Sequence, residues 1–328
     1  MHRTRPSSIA LACCLAALLP SAAGAQQPPG RFEIVPLQTR SPANRDVLRG
    51  EPQAGREAAI AGELRLPAGA PPGQRVPAVV LLHDSAGPGG ALDAWAKELN
   101  AAGAATFLLD SFTGRGIADT IADQSRLSGL AVMVDAYRAL DWLAAHPRIR
   151  PDRVAVMGFS RGATAAVYSA MERFARLLGG PDRRFALHIG FYGPCYIAYE
   201  GDTRVGAPIR LFHGAEDDYV PVQPCRDYVA RLREAGADAT LTEYAGARHA
   251  FDNPFIPPLF ALRSAQTWRN CRLREGPDGA LLNAATGAAH APASDTCVER
   301  GAHVGHSPEA TAAAYGAVRD LVAGILLR

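Results

Sequence analysis

The sequence lacks an excess of charge of either sign. Its 328 residues include 34 lysines and arginines against 32 acidic residues, for a formal net charge of +2 at pH 7. Proteins that bind nucleic acid or an anionic membrane surface usually show a clustered basic excess. The composition therefore gives no electrostatic support for either partner, and we expect neither.

Long apolar runs are also scarce. One run of about a dozen residues, 9–19, follows a start that contains Arg3 and Arg5, and it is too short to span a bilayer. Residues 23–25 have the small-residue form Ala-Gly-Ala of a cleavage site. We therefore expect residues 1–25 to be a cleaved signal peptide and the protein to be periplasmic or secreted. This leader holds two arginines and no acid, so the remainder is formally neutral.

Cysteine is infrequent as well, with six in the chain and two of them inside the leader. No C-x-x-C and no Cys/His cluster occurs at metal-ligand spacing, so we expect no metal. An even number in an exported chain favours disulfides. Four cysteines permit three pairings, of which proximity in sequence favours Cys271–Cys297 together with Cys195–Cys225. Each bridge contributes about 3 kcal/mol by loop entropy; four free buried thiols are the alternative.

Apolar strand-like segments alternate with helical patterns from residue 57 onwards. Residues 77–83 are almost continuously apolar, and residues 127–146 carry apolar side chains at helical spacing. Such alternation predicts an α/β fold, in which a mostly parallel, doubly wound sheet has helices on both faces. We therefore expect one domain over residues 57–328.

Two regions fall outside this pattern. Residues 26–56 are rich in Pro, Gly, Arg and Gln, and we expect an irregular lead-in. Residues 270–306 have little apolar periodicity, and an irregular segment of this length is unusual in a compact domain. We expect a disulfide-stapled excursion near the end of the sheet that carries the site. It either covers a pocket or is a surface insertion without a role.

The most informative motif is Gly158-Phe-Ser160-Arg-Gly162, between a valine-rich segment and a run of small residues with helical character. A strand–turn–helix around G-x-S-x-G is typical of a nucleophile elbow. The tight turn leaves no room for a Cβ at the glycines and presents the serine hydroxyl. We expect Ser160 to be a nucleophile; an ordinary glycine-rich turn is the alternative.

A serine hydroxyl needs a base to take its proton and an acid to orient that base. In α/β-hydrolases these groups follow in the order Ser, Asp, His. His249 lies a few residues after a predicted strand and is the expected base. Asp217, in the turn after the preceding strand, is the expected acid, with Asp218 as the alternative. Three later histidines are expected to be solvated, namely His290, His303 and His306.

The oxyanion that forms during acyl transfer needs preorganised donors. The backbone N–H of Arg161, at the start of the helix after the elbow, is one candidate. The loop after strand 77–83 supplies the second, for which we favour the N–H of Ser85 over that of Asp84. A flexible turn without this role is the alternative.

With these residues in place, the chain resembles the dienelactone hydrolase family of α/β-hydrolases. The resemblance implies an eight-stranded sheet, no cofactor and a nucleophile–His–Asp triad. Two positions depart from the founding enzymes: Ser160 replaces a cysteine, and Asp84 replaces a glutamate. The matching segments are Leu81-Leu-His83-Asp84, Asp110-Ser-Phe-Thr-Gly-Arg-Gly116, Gly158-Phe-Ser-Arg-Gly162, Gly214-Ala-Glu-Asp217-Asp-Tyr-Val-Pro221 and Gly246-Ala-Arg-His249-Ala-Phe251.

These observations together predict an exported serine hydrolase that acts on a small-molecule carboxylic ester or lactone through an acyl-enzyme. Two other hypotheses stay open. One is a peptidase or acyltransferase on the same fold, although about 300 residues leave little room for a domain that selects peptide chains. The other is a non-catalytic binding protein, although such a protein is expected to have lost a member of the triad.

Overall fold

The computed structural model describes residues 32–328, so the predicted signal peptide lies outside the described residues. The strands are β1 (Phe32–Ser41), β2 (Arg56–Arg65), β3 (Val76–Leu82), β4 (Ala105–Asp110), β5 (Ile149–Phe159), β6 (Leu187–Phe191), β7 (Ile197–Ala198), β8 (Ile209–Gly214), β9 (Ala239–Tyr244), β10 (Phe260–Thr267), β11 (Leu273–Glu275), β12 (Leu281–Asn283) and β13 (Glu299–Val304). The helices are α1 (Asn44–Leu48), α2 (Gly90–Ala101), α3 (Gly129–Ala145), α4 (Arg161–Tyr168), α5 (Glu172–Gly179), α6 (Gln223–Glu234) and α7 (Pro308–Leu321).

Eight of these strands form one sheet in the order β1-β2-β4-β3-β5-β6-β8-β9. The pairs β1–β2 and β2–β4 are antiparallel, and every other pair in this sheet is parallel. Successive residues of β3 belong to different apolar clusters. Val80 lies in the cluster that contains much of α3, and Val79 lies in the cluster that contains Trp95 of α2 and Val318 of α7. Helices therefore cover both faces, which confirms the predicted α/β architecture.

The expectation of an irregular lead-in over residues 26–56 is wrong where the structure describes it. Residues 32–41 form β1, an edge strand that pairs with β2 over ten residues. Its inward side chains are Val35, Leu37 and Thr39, all buried. Pro36 obscured this alternation, and an edge strand tolerates proline because one of its sides needs no ladder hydrogen bond.

A buried ion pair fastens β1 to the rest of the domain. Arg115 donates to both carboxylate oxygens of Asp135 at 2.7 and 2.9 Å, and its Nη2 also donates to the carbonyl of Arg40. The hydroxyl of Thr39 donates to the same carboxylate at 2.7 Å. Asp135 therefore connects helix α3, the loop after β4 and the edge strand.

The excursion is more ordered than the sequence indicated. Strands β11 and β12 form a small sheet with β7, and β13 pairs with β10. Both expected disulfides are present, Cys195–Cys225 and Cys271–Cys297, each with Cα atoms 4.9 Å apart. None of the helices in residues 32–328 is long and apolar enough to cross a bilayer.

Replacing Asp135 by alanine is expected to cost about 3–5 kcal/mol of unfolding free energy, because the buried Arg115 guanidinium loses its counter-charge. Asp141→Ala is the matched control on the same helix. Asp141 lies 3.9 Å from the exposed Arg138, and an exposed pair of this kind contributes less than about 1 kcal/mol. Urea unfolding of both variants measures the difference. Equal losses would show that the buried pair has no special role.

Candidate active site

Ser160 lies in the turn between β5 and α4 with φ 50° and ψ −112°, a conformation that costs a non-glycine residue energy. The two flanking glycines permit this turn. A Cβ on Gly158 would lie 2.2 Å from the carbonyl oxygen of Gly162, and a Cβ on Gly162 would lie 2.4 Å from that of Leu82. The turn is therefore built for glycine at both positions, as the motif predicts.

The structure brings Ser160, His249 and Asp217 together. Nε2 of His249 lies 2.9 Å from Oγ of Ser160, and Nδ1 lies 2.7 Å from Oδ2 of Asp217. All three residues are buried, with exposed fractions of 7%, 3% and 6% for serine, histidine and aspartate. Because Asp217 accepts the Nδ1–H, Nε2 is left to accept the serine proton. The arrangement can thus activate the hydroxyl as a nucleophile.

Asp217 remains a carboxylate because several donors converge on it. Its Oδ1 accepts the backbone N–H groups of Tyr219 and Val220 at 2.9 and 2.8 Å. Burial acts to raise the pKa of Asp217, but the electrostatic attraction of His249 and the hydrogen bonds from His213 and His249 outweigh it and lower the pKa to about 2. His213 lies 3.3 Å from the carboxylate. No sequence motif marks His213 as part of the site, because only the fold turns the end of β8 towards Asp217.

The alternative acid, Asp218, has a different partner. Its carboxylate accepts the backbone N–H of His303 at 2.9 Å and lies 2.7 Å from Nδ1 of the same residue. His303 lies in β13, so Asp218 joins the turn after β8 (residues 215–222, the acid turn) to the excursion.

The expectation that His290 is solvated is wrong: its side chain is 3% exposed and its Nδ1 lies 2.8 Å from Oδ2 of Asp295.

The two expected oxyanion donors lie at the site and share a neighbour. The N–H of Arg161 is the first of α4 and has no acceptor within the helix. Ser85 is buried in the loop after β3, and its hydroxyl donates to Oε1 of Gln124 at 3.1 Å. Arg161 Nη2 donates to the same oxygen at 2.7 Å. Gln124 therefore links the loop after β3 to the start of α4, a role that no local motif indicated.

A cavity of about 520 Å³ lies next to Ser160, within the range of small-molecule sites. Arg45, Arg126 and Arg161 line it, with no aspartate or glutamate among the lining residues that the structure describes. Arg161 is buried, and burial lowers the pKa of its guanidinium to about 10, so it remains charged at neutral pH. The cavity therefore favours neutral or electron-rich ligands over cationic ones.

One group within residues 32–328 has its ligand atoms close enough to hold a metal. Cys271, His290 and Cys297 place one such atom each within 4.8 Å of the others. Both sulfurs are joined in the disulfide, which removes the thiolates that a metal would need. The residues as they stand therefore form a cross-link rather than a metal centre.

The family model of the dienelactone hydrolase family matches residues 64–271, more than half of the chain. The chain belongs to the dienelactone hydrolase family. This confirms the resemblance seen in the sequence. The matched range includes the elbow, the acid turn and His249, while most of the excursion lies beyond it.

Two solved structures share the fold of this chain over most of its length. The fold is similar to a dienelactone hydrolase-like promiscuous phosphotriesterase from metagenomic libraries, with a TM-score of 0.57, 18% identity, and coverage of 90% of this chain and 98% of that one. It is also similar to a protein named m3DLH, with a TM-score of 0.56, 21% identity, and coverage of 89% and 99%. At these identities the likeness establishes the fold alone.

A probable 2-oxo-3-(5-oxofuran-2-ylidene)propanoate lactonase from Bradyrhizobium sp. is 25% identical over 149 residues. The match covers 42% of this chain and 56% of the relative. This chain therefore aligns with little more than half of that protein's length.

Replacing Asp217 by asparagine is expected to remove a contribution to the unfolding free energy that depends on pH. Because folding depresses the pKa of Asp217 from 3.8 to about 2, the carboxylate's contribution is complete above about pH 5 and is lost as the pH falls through 3.8 towards 2. The difference in unfolding free energy between wild type and Asp217→Asn should narrow by about 1 kcal/mol from pH 5 to pH 3.

Urea unfolding at the two pH values measures this narrowing. Asp227→Asn, the same substitution on the exposed face of α6, controls for the change of residue type. A difference between wild type and Asp217→Asn that stays constant or widens towards pH 3 would contradict the depressed pKa.

Proposed function

We propose that this protein is an exported serine hydrolase that cleaves carboxylic esters or lactones through an acyl-enzyme. The observation that carries the proposal is the hydrogen-bonded series Ser160–His249–Asp217, buried beside a cavity of small-molecule size. Membership of the dienelactone hydrolase family supports hydrolysis of an ester or lactone. The curated relative, a probable lactonase, supports the lactone half of this substrate class.

In the proposed reaction, Oγ of Ser160 attacks the carbonyl carbon while His249 Nε2 takes the hydroxyl proton. The carbonyl oxygen becomes an oxyanion that accepts hydrogen bonds from the backbone N–H groups of Arg161 and Ser85. Asp217 stabilises the imidazolium. The tetrahedral intermediate then collapses, the bond to the alkoxide breaks, and Nε2–H protonates the leaving oxygen.

The acyl group is then bound to Ser160 as an ester. A water molecule gives a proton to His249 Nε2 and attacks the acyl carbon through the same oxyanion site. Collapse of this second intermediate returns the proton to Oγ of Ser160 and releases the carboxylic acid. For a lactone, the alcohol and the acid are two ends of one product. No cofactor takes part in this cycle.

Two features support export. The expected signal peptide precedes the described residues, and two disulfides join Cys195 to Cys225 and Cys271 to Cys297. Disulfides form and persist in oxidising compartments such as the periplasm and the extracellular space. A periplasmic or secreted location is therefore part of the proposal.

Ser160→Ala is expected to lower kcat on p-nitrophenyl esters and on a lactone by at least about 10⁴-fold, because no other group on the proposed path attacks the carbonyl. Ser264→Ala, on an exposed position of β10, is the matched control and should keep wild-type rates. Thermal unfolding of each variant verifies that the fold is retained.

Intact-protein mass spectrometry after treatment with a fluorophosphonate provides a second measurement. Wild type and Ser264→Ala should gain one adduct, located on Ser160 by peptide mapping, and Ser160→Ala should gain none. Ester hydrolysis that survives in Ser160→Ala would disprove the mechanism. Folded wild-type protein that hydrolyses no ester or lactone and forms no adduct would favour a binding protein.

A further inference from the structure

The two N–H groups proposed to bind the oxyanion belong to segments that are far apart in the sequence. Arg161 begins α4, whereas Ser85 lies in the loop after β3. The backbone N–H of Ser85 donates to no other group among residues 32–328, so it is available to a substrate oxygen. An oxyanion site stabilises charge only when its donors are held in place before the reaction. The loop after β3 must therefore be fixed relative to α4.

The side chain of Gln124 contacts both of these residues. Its Oε1 accepts the hydroxyl hydrogen of Ser85 at 3.1 Å and a hydrogen of Arg161 Nη2 at 2.7 Å. A guanidinium has donors only, so the contact with Arg161 identifies this amide atom as the oxygen. Gln124 lies 39 residues after Ser85 and 37 residues before Arg161. A single amide oxygen thus joins the two segments that carry the oxyanion donors.

Gln124 is itself held by three contacts. Its backbone N–H donates to Oε1 of Gln266 in β10 at 2.8 Å, and its backbone carbonyl accepts a hydrogen of Arg161 Nη2. Its Nε2 donates to the hydroxyl of Tyr219 in the acid turn at 3.3 Å. The position of its amide oxygen is therefore set by neighbours on β10, α4 and the acid turn.

We propose that Gln124 is a positioning residue of the oxyanion site, whose amide oxygen sets where the N–H of Ser85 lies relative to that of Arg161. This inference rests on the proposed function and adds a residue to it. Gln124 acts through the two donors rather than on the reacting atoms. The substrate carbonyl oxygen carries its full negative charge only after attack by Ser160, so the benefit arises mainly in the transition state.

Gln124→Met keeps the length of the side chain and removes both of its polar atoms. The guanidinium of Arg161 is still held in this variant by the backbone carbonyls of residues 124 and 127, so the loss falls mainly on Ser85. With p-nitrophenyl acetate, kcat is expected to fall about 10- to 100-fold, because displacing a donor costs less than the roughly 10²- to 10³-fold for deleting one. KM should stay within about twofold.

Gln38→Met, at an exposed position of β1, is the matched control and should keep the wild-type kcat and KM. Thermal unfolding verifies that both variants are folded at the assay temperature. A kcat for Gln124→Met equal to that of Gln38→Met would overturn the positioning role. A raised KM with unchanged kcat would also overturn it, because Gln124 would then belong to substrate binding.

Inhibition by phenylboronic acid supplies a readout that a merely structural role would not move. The boron atom accepts a lone pair from Oγ of Ser160 and gives a tetrahedral, negatively charged adduct that resembles the intermediate. In Gln124→Met its Ki should rise by about the same factor by which kcat/KM falls. A fall in kcat/KM with an unchanged Ki would contradict the assignment to the oxyanion site.

Ser85→Ala tests the same contact from its other side, since it removes the hydroxyl and keeps the backbone N–H. It should lower kcat about 10- to 100-fold as well. Because both substitutions break one contact, the double variant should lose at most about threefold more than the larger single effect. Losses that multiply would overturn the role through Ser85. If Gln124→Met does not fold, Ser85→Ala decides, and an unchanged kcat in Ser85→Ala would overturn the proposal.

The same assays keep this inference distinct from the proposed function. Ester hydrolysis that is lost in Ser160→Ala and unchanged in Gln124→Met would overturn the positioning role and leave the proposed function intact. Folded wild-type protein that neither hydrolyses an ester nor binds phenylboronic acid would overturn both.

Discussion

The site depends on one buried carboxylate, that of Asp217. An ionised group is retained in a protein interior only where donors replace the lost water. Here the backbone of the acid turn, His213 and His249 all face the carboxylate. Asp217 therefore joins two loops as well as contacting His249. Its carboxylate accepts two N–H groups of the turn after β8 and lies 2.7 Å from Nδ1 of His249, so it joins that turn to the loop that carries His249.

That loop has a second attachment, through β13. Gly305 N–H donates to the carbonyl of His249 at 3.0 Å, and His249 forms a bridge with Val304. His303 of the same strand holds Asp218. The base and the acid turn are thus both joined to a strand that follows the Cys271–Cys297 bridge. Support of this kind holds the short Ser160–His249 and His249–Asp217 distances.

The sequence was informative where chemistry is local. G-x-S-x-G needs its glycines for steric reasons that hold within one turn, and the spacing of Asp217 and His249 after their strands follows from parallel-sheet geometry. It was uninformative where contacts span long separations. Three features depend on tertiary packing and are not revealed by the polar composition of their segments. They are the pairing of β1, the link from Gln124 to Ser85 and Arg161, and the burial of His290 against Asp295.

The division between the matched segment and the excursion has a physical basis. Triad atoms must be placed to within about 0.5 Å, which regular strands and a strained turn accomplish. The excursion contributes Gly279, Ala280, Leu281, His290 and Pro292 to the cavity lining from a loop that the Cys271–Cys297 bridge closes. Lining a cavity tolerates larger displacements than the short Ser–His and His–Asp contacts do, so a cross-linked loop is sufficient there. The part of the chain that the family model matches therefore holds the short contacts among Ser160, His249 and Asp217, whereas the excursion shapes the cavity beside them.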